Sequence, residues 1–315
     1  MLYISIWLTK DLSAKGSEMC RELPNVTIVV LSWNNYHDTY DCLRSIENLN
    51  YPAYSVVVVD NGSTDDSTQK LMSQFNTEFI INKRNYGYAK GNNIGIDVAL
   101  SRGADYVWLI NNDVVVEENA LLNMVDASES DNKVGIIGSK VFFYDEPERL
   151  SFAGGMVNQW TGVCRHIGSG EIDRGQYDVA CEVGYITGCN LLIKKACIDD
   201  IGPIDENYFL YYEDVDWAAR AKRSGWKVVY LPVPGVWHRV AASLKEPALA
   251  MGYYFTRNGL YFIWQNFRSH IPIAVVCSAR YSFINHIAEG RWQVLRMCLL
   301  GYVDFFSMRM GGRVL

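Results

Sequence analysis

Apolar and polar residues alternate along the first part of the chain in blocks typical of an α/β sheet. The nearly continuous apolar runs predict buried strands at 26–33, 54–60, 77–82 and 106–113. Between them, helices are predicted at 36–49, within 61–75 and at 90–103, the first capped by Asp38 or Thr39. Strands that alternate with helices imply right-handed crossovers, so we expect a parallel sheet from Asn25 to about Val125.

The pattern loosens after Val134. Strands and a hairpin with glycine-rich turns are predicted at 134–144 and 150–168, followed by a strand and helix at 183–202. An amphipathic helix is expected at 213–225 and a strand at 226–233. Two further helical stretches, 247–270 and 286–310, are rich in aromatic residues. The chain is therefore predicted to be an α/β protein with a helical C-terminal region.

Composition agrees with an ordinary globular protein, with 49% hydrophobic and 20% charged residues in 315. No apolar run approaches the roughly 20 residues that a membrane-spanning helix needs. The start, "MLYISIWL", has neither the basic stretch nor the cleavage site of a signal peptide, so we interpret residues 1–24 as an N-terminal extension. The eight cysteines form no C-x-x-C pair, and reduced thiols fit a cytoplasmic protein.

Charge is distributed unevenly along the chain. The net charge of −6 argues against a nucleic-acid partner. From Trp217 to Leu315 there are 13 Lys and Arg against three Asp and Glu, whereas residues 1–216 have 16 against 32. We therefore expect the segment from Tyr253 to Leu315 to dock peripherally on the anionic inner face of the cell membrane without crossing it. The alternative is a packed helical core or a homo-oligomer interface with solvated arginines.

The residues expected to dock on the membrane are arginines interleaved with aromatic residues. They are Arg257, Arg268, Arg280, Arg291, Arg296, Arg309 and Arg313, with Trp264, Phe267, Trp292, Phe305 and Phe306.

Polar clusters follow the predicted strands at 32–35, 60–66, 82–93 and 111–113. Each alone could be a turn, because Asn, Asp, Gly and Ser favour turns. Four such clusters at the carboxyl ends of neighbouring strands instead favour one ligand site along that edge of the sheet. The third cluster is glycine-bearing and opens a helix, a combination that suits phosphate. The candidate ligand-binding residues are Ser32, Asn34, Asp60, Asn85, Gly91, Asn92, Asn111 and Asn112.

Two further features carry titratable groups. Glu213, Asp214 and Asp216 open a predicted helix, where acids either complement the helix dipole or present a general base. His238 follows a strand that contains two prolines, and it is either a structural histidine or a metal ligand.

Together these motifs resemble glycosyltransferase family 2, enzymes of the GT-A fold, and especially its rhamnosyltransferase-like branch. The matching segments are "VDNGSTD", "NYGYAKGNNIGI", "YVWLINNDVVV", "ITGCNLLIKKACIDDIGPIDENYFLYYEDVDWAARAKRSGW", and "WH" followed by "YYFTRNGLYF", within about 25–270. Most similar sequences have a D-x-D or N-x-D triplet where this chain has Asn111, Asn112 and Asp113. The final acid is kept and the first is an amide.

The resemblance implies a GT-A domain with a mostly parallel central sheet flanked by helices. In that organisation, a nucleotide-sugar-binding half would occupy 25–125 and an acceptor half 126–240. Residues 241–315 would be a helical appendage on the acceptor side.

The resemblance also implies inverting transfer of a sugar from a nucleotide diphosphate donor. Asp60 would read the base of the nucleotide, and Asp113 and His238 would hold Mg²⁺ or Mn²⁺. Asp214, preceded by Glu213, would be the general base. In-line displacement needs a carboxylate to deprotonate the acceptor and no covalent nucleophile. The preferred donor is dTDP-L-rhamnose, and the expected acceptor is a hydroxyl of a glycan or a polyprenyl-linked glycan of a surface polysaccharide.

Other functions remain open at this point. UDP-galactofuranose and a UDP-hexose are alternative donors. A protein that binds a nucleotide sugar without turning it over is the alternative from another functional class. A nucleotidyltransferase is disfavoured, because "SWNNYHD" after the first strand lacks the glycine-rich, basic character of a triphosphate loop.

Overall fold

Parallel strands and their crossover helices form the first half of the fold, as expected. A computed structural model describes residues 23–239 and 247–313, so most of the predicted extension at 1–24 lies outside the described residues. The strands are β1 (Val26–Ser32), β2 (Tyr54–Asp60), β3 (Glu78–Ile81) and β4 (Tyr106–Asn111). The helices between them are α1 (Tyr36–Ile46), α2 (Ser67–Met72) and α3 (Tyr88–Ser101). The strands lie side by side in the order β4-β1-β2-β3, all parallel.

The register of these strands places their carboxyl ends at one edge. Ser32 at the end of β1 pairs with Asp60 of β2, and Leu31 pairs with Asn111 of β4. β1 and β4 are buried on both faces, as the apolar runs predict, and Trp108 of β4 is fully buried. Three of the four predicted polar clusters therefore begin at neighbouring points on this edge.

The second half extends the same sheet with strands of both directions. Its elements are β5 (Val114–Val116), α4 (Ala120–Ser130), β6 (Val134–Phe143), β7 (Leu150–Phe152), β8 (Gly155–Val157), β9 (Cys164–His166), β10 (Cys181–Glu182), β11 (Asn190–Lys194), α5 (Lys195–Ile201), α6 (Glu213–Arg223) and β12 (Lys227–His238). β11 runs antiparallel between β4 and β6, and β12 runs parallel to β6. β8 and β9 form the predicted hairpin.

The C-terminal region contains three helices where two stretches were predicted. They are α7 (Pro247–Asn266), α8 (Ile271–Ala288) and α9 (Trp292–Phe306), with a short 3₁₀ turn at Arg268–His270. The sequence prediction left 271–285 unassigned, and this is wrong. Pro272 looks like a helix breaker, but it lies in the first turn of α8, where the missing N–H has no partner to lose. None of the helices in the described ranges is long and apolar enough to cross a membrane.

Two details of the prediction need correction. α1 is capped by Asn35, not by Asp38 or Thr39: the Asn35 side chain accepts a hydrogen bond from the Asp38 backbone N–H. Arg257 and Phe305, expected at the membrane, are buried, with exposed fractions of 1% and 4%.

Candidate active site at the sheet edge

A short strand pairing brings together two residues that are distant in sequence. β5 begins directly after Asp113 and runs antiparallel to the end of β12, with Val114 opposite His238. The Arg239 backbone N–H also donates to the Asp113 carbonyl at 2.9 Å. As a result, the Nε2 atom of His238 lies 3.0 Å from Oδ1 of Asp113. The prediction that Asp113 and His238 hold one metal ion requires their side chains to be close together, and the structure places them so.

The surroundings of His238 favour its charged form. Burial acts to lower the pKa of His238, but the neighbouring Cys189 and Asp113 outweigh it and raise the pKa to about 10. Arg239 anchors the end of β12 to α1, because its guanidinium donates to Asp38 and Asp41 at 2.7 Å each. The pair is therefore held from two sides, by β5 and by α1.

The acidic pair at the start of α6 is buried to different degrees. Glu213 is 6% exposed and its Oε2 atom has no hydrogen-bond partner among the described residues, whereas Asp214 reaches partly to solvent. Asp214 accepts hydrogen bonds from the backbone N–H groups of Gly188 (3.0 Å) and Val215 (2.8 Å). Burial raises the pKa of Asp214 to about 6, and burial together with the Asp214 charge raises the pKa of Glu213 well above its usual range. A carboxylate with such a pKa suits proton abstraction near neutral pH.

Gly188 and Cys189 connect the acidic pair to the Asp113–His238 pair. The Gly188 backbone N–H donates to Asp214, and the next residue, Cys189, lies beside His238 and contributes to raising the pKa of His238. Consecutive Cα atoms lie about 3.8 Å apart, so one short stretch of backbone, residues 188 and 189, lies next to both Asp214 and His238. Residue 188 must be glycine, since a Cβ there would lie 2.4 Å from the Tyr88 hydroxyl.

The backbone that leads into α6 is strained and held by a residue of α7. Tyr211 and Tyr212 both have positive φ, 67° and 75°, which costs roughly 1–2 kcal/mol for each non-glycine residue. Asn258, fully buried, donates from its side-chain amide to the carbonyls of Leu210 and Tyr211 at 2.8 Å each. These bonds fix the direction in which α6 presents Glu213 and Asp214. Sequence reasoning missed Asn258, although a polar residue inside an aromatic helix was visible.

At the same edge of the sheet, hydrogen bonds connect the loop after β1 to the loop after β2. Asp60, 3% exposed, accepts hydrogen bonds from the backbone N–H and hydroxyl of Ser63. Asn34 accepts from the Thr64 backbone N–H at 2.9 Å, and its own backbone N–H donates to the Ser63 hydroxyl. Both predicted residues therefore belong to one folded loop cluster.

Asn61 is a second residue that sequence reasoning did not single out. Its amide donates to the Asn85 side chain and to the Gly87 carbonyl at 3.1 Å each, and its Oδ1 accepts from the Tyr86 backbone N–H. It thereby fixes the third polar loop against the second. Gly62 next to it has φ +75°, and a Cβ there would lie 2.5 Å from the backbone of residue 84.

Several of the predicted ligand-binding side chains bond within the protein. The Thr39 hydroxyl lies 3.1 Å from that of Ser32 and accepts from the Asn112 amide at 2.8 Å, and both partners are buried. Gly91 permits close packing of α3 on β1, because a Cβ would lie 2.5 Å from Leu31. The Asn92 amide donates to the Tyr88 carbonyl, whereas its Oδ1 accepts no hydrogen bond from the part of the chain that the structure describes. Ligand-binding roles for these residues stay predictions.

Asn111 has a different position from its neighbours. It is the last residue of β4, its side chain is partly exposed, and its carbonyl accepts from the Cys42 thiol. Asn111 ends β4 two residues before Asp113, and an amide oxygen can serve as a metal ligand.

The donor set at Asp113 and His238 fits a divalent cation. A neutral imidazole nitrogen and a carboxylate oxygen suit Mn²⁺, so an ion that binds here would displace the proton of His238, and it can lie about 2 Å from each of two such neighbours. Across residues 23–239 and 247–313, no three His, Cys, Asp or Glu side chains are close enough to hold an ion. The remaining coordination positions would therefore go to water and ligand phosphates, an arrangement that Mg²⁺ also favours.

Comparison with known sequences points to one family. The profile of glycosyl transferase family 2 matches residues 27–202. The N-acetylglucosaminyl-diphospho-decaprenol L-rhamnosyltransferase of Mycobacterium tuberculosis is 29% identical over 220 residues, which cover 62% of this chain and 69% of the relative.

Comparison with solved structures concerns the fold. A mannosyltransferase from Pyrobaculum calidifontis, in complex with GDP-Man and Mn²⁺, has a TM-score of 0.56 at 14% identity, covering 91% of this chain and 88% of its own. GalNAc-T7 with UDP, GalNAc and Mn²⁺ has a TM-score of 0.56 at 12% identity and covers 76% of this chain. The match spans about half, 51%, of the GalNAc-T7 chain. These likenesses establish the GT-A fold.

Proposed function

Because the chain belongs to glycosyl transferase family 2 and is a glycosyltransferase that uses a nucleotide-sugar donor, we propose that it transfers L-rhamnose from dTDP-L-rhamnose. The acceptor would be a hydroxyl of a lipid-linked glycan. Support for both comes from the relative named as a rhamnosyltransferase that acts on a diphospho-decaprenol compound. UDP-galactofuranose and a UDP-hexose are the alternative donors.

The observation that carries the proposal is the connection between Asp214 and His238 through the consecutive residues Gly188 and Cys189. A direct displacement needs a base on one side of the sugar and charge neutralisation at the leaving diphosphate on the other. Asp214 supplies the first, with a pKa that burial raises to about 6. Asp113 and His238 supply ligands for the second.

Each side chain has one part in the proposed mechanism. Asp60, held by Ser63, would bind the nucleotide base, and Asp113 and His238 would hold Mg²⁺ or Mn²⁺. A bound divalent cation neutralises charge that develops on the diphosphate. The Asp214 carboxylate would accept the proton of the acceptor hydroxyl as its oxygen attacks the anomeric carbon. The configuration at that carbon inverts because there is a single displacement.

Glu213 would work next to the base without taking the proton itself. Its pKa is raised well above the usual range by burial and by the charge of Asp214, so the protonated form of Glu213 is favoured beside an ionised Asp214. A neutral neighbour leaves Asp214 as the charged member of the pair. In the proposed division, the nucleotide half at 25–125 contains Asp60 and Asp113, and the acceptor half at 126–240 contains Asp214 and His238.

A donor panel tests the proposal. Purified protein is incubated with dTDP-L-rhamnose, UDP-galactofuranose and UDP-hexoses, with and without Mn²⁺, and release of the nucleoside diphosphate is measured with a polyprenyl-diphosphate-linked N-acetylglucosamine acceptor. We expect acceptor-dependent release of dTDP that requires the metal. Tight donor binding with no release from any donor would instead identify a nucleotide-sugar-binding protein.

A further inference from the structure

Helix α8 has its apolar side turned to solvent. The large apolar residues project outward with exposed fractions between 40% and 67%: Ile273, Val276, Tyr281, Phe283, Ile284 and Ile287. The residues buried on its other side are Ala274, Ser282 and His286, which are small or polar. A helix on the surface of a globular protein normally shows the reverse arrangement. Residues 23–239 and 247–313 therefore leave the outward face of α8 uncovered.

Helix α9 has a second outward apolar stripe. Trp292, Leu299, Val303 and Phe306 recur at helical spacing and are 62%, 43%, 54% and 64% exposed. The opposite side of α9 is buried and includes Asp304, whose carboxylate accepts from the Tyr253 hydroxyl. α9 lies against α8, where the Tyr302 hydroxyl donates to Ser278 at 2.8 Å. Both helices thus pack inward and still leave large apolar side chains uncovered.

The charges on these helices identify the kind of partner. Between Phe267 and Arg313 the sequence has six arginines and two acids, Glu289 and Asp304, of which Asp304 is buried. Arg280 lies within the outward face of α8, and Arg296 lies within the stripe of α9; both are exposed. Across an interface between two copies of this chain, such arginines would meet arginines. An anionic lipid surface complements them, and apolar side chains between arginines suit the interface region of a bilayer.

We propose that the outward faces of α8 and α9 form a membrane-docking surface that rests in the plane of an anionic bilayer. Tyr253, Tyr254 and Phe262 of α7 have no part in it, because all three are buried. The 18 residues of α8 extend for about 27 Å along the surface. Membrane docking is a property separate from the proposed reaction. It would bring the protein to a lipid-linked acceptor in the bilayer.

Vesicle flotation of the full chain tests this surface. The probes are vesicles of phosphatidylcholine alone and of phosphatidylcholine mixed with phosphatidylglycerol. We expect the protein to float with the mixed vesicles, to float much less with the neutral ones, and to be released by salt. Arg280→Gln should weaken binding to the mixed vesicles about fivefold, the equivalent of about 1 kcal/mol for one basic residue.

Two valine variants test whether vesicle binding depends on the outward faces of α8 and α9 or on any exposed apolar residue. Val276→Glu, on the outward face of α8, should reduce binding to the mixed vesicles by roughly tenfold or more. Val179→Glu changes a valine of similar exposure, 55% against 67%, outside the helical region and should leave binding unchanged. Both positions are exposed, so neither variant should unfold the protein.

Other results would overturn the proposal. Equal flotation with neutral and anionic vesicles, no flotation, or flotation that Val276→Glu leaves intact would each exclude an anionic docking surface of this kind. A lipid-free dimer in analytical ultracentrifugation that Val276→Glu dissociates, without vesicle binding, would show that a second copy covers the face. Donor turnover is measured on the same samples. Vesicle binding without turnover of any donor would contradict the proposed function alone and leave the docking surface standing.

Discussion

His238 Nε2 and Asp113 Oδ1 lie 3.0 Å apart although 125 residues separate them in sequence. Their proximity depends on β5, three valines long, which pairs with the last three residues of β12. β5 starts and β12 ends at the same edge of the sheet, so Asp113 directly precedes β5 and His238 is the last residue of β12. Two residues that are each unremarkable in sequence therefore form a pair of suitable metal ligands.

Removing either residue of this pair is expected to impair metal binding. Asp113→Ala and His238→Ala should each weaken Mn²⁺ binding in the presence of a nucleoside diphosphate by more than the roughly tenfold typical of losing an outer-shell partner. The measurement is the loss of the free Mn²⁺ signal in electron paramagnetic resonance. His270→Ala, in the 3₁₀ turn before α8, is the control. Unchanged Mn²⁺ binding in either variant would remove that residue from the site.

The parallel half of the fold was predictable because its signals are local. β1, β2 and β4 are continuous apolar runs followed by polar residues, and burial on both faces gives such runs. The positions of Asp60 and Asp113 follow from the strand ends alone. Family resemblance then supplied the roles of these residues, which spacing by itself left open.

The rest depended on contacts between distant parts of the chain. β5 is too short to recognise without its partner β12, and the α6 entry is strained by two consecutive tyrosines that need Asn258 to hold them. α8 was missed because its first turn contains Pro272 and its apolar side faces outward, contrary to the usual pattern. Tertiary contacts override the local pattern in the first two cases, and an outward apolar face departs from it in the third.

The rate of transfer is expected to depend on the ionisation of Asp214. Its pKa is raised to about 6 by burial, and only the deprotonated carboxylate can accept a proton. The turnover number should therefore be constant above this pKa and fall roughly tenfold per pH unit below it. The measurement is a pH profile at saturating donor and acceptor. A profile that stays flat to below about pH 5 would contradict the assignment.

Substitution of the same residue tests the role directly. Asp214→Asn should lower turnover by about 10²–10⁴-fold, the usual contribution of a general base, while donor binding measured by calorimetry persists. Asp199→Asn, in the exposed pair with Lys195 on α5, is the control and should retain activity. Turnover near that of wild type in Asp214→Asn would show that another group takes the proton.

Burial of Glu213 is expected to reduce stability at neutral pH. Its pKa in the folded protein is raised well above the usual value, so the folded state holds this proton more tightly than the unfolded state. Stability from this group is complete below the unfolded pKa and is lost as the pH rises toward the folded pKa. Each unit of difference corresponds to about 1.4 kcal/mol. Glu213→Gln removes the titration and should lose less stability with rising pH.

The comparison is made by urea unfolding of wild type and Glu213→Gln at about pH 4 and about pH 8. From the lower to the higher pH, the unfolding free energy of wild type should fall by about one to a few kcal/mol more than that of Glu213→Gln. Taking this difference cancels packing effects that do not depend on pH. Glu182→Gln, on an exposed strand, is the control. A difference that stays constant with pH would mean that Glu213 is ionised in the folded protein without penalty.

Asn258 is expected to support both stability and turnover, because it holds the strained backbone that presents Asp214. Asn258→Ala removes two hydrogen bonds of 2.8 Å to the carbonyls of Leu210 and Tyr211 and leaves those carbonyls without this partner. At roughly 1 kcal/mol for each bond, the variant should lose about 2 kcal/mol in urea unfolding. Its turnover number should fall while the KM for the donor stays similar, since Asp60 and the nucleotide loops lie on other elements.

The matched control for Asn258→Ala is Asn48→Ala. Asn48 follows α1, and its side-chain amide also donates to a backbone carbonyl, that of Arg44, but it is exposed to solvent. Water can replace that bond, so little change in stability or turnover is expected. If Asn258→Ala lowered stability and left turnover intact, the strained entry to α6 would not control the position of Asp214. Equal losses in the two variants would show that the buried position of Asn258 carries no special weight.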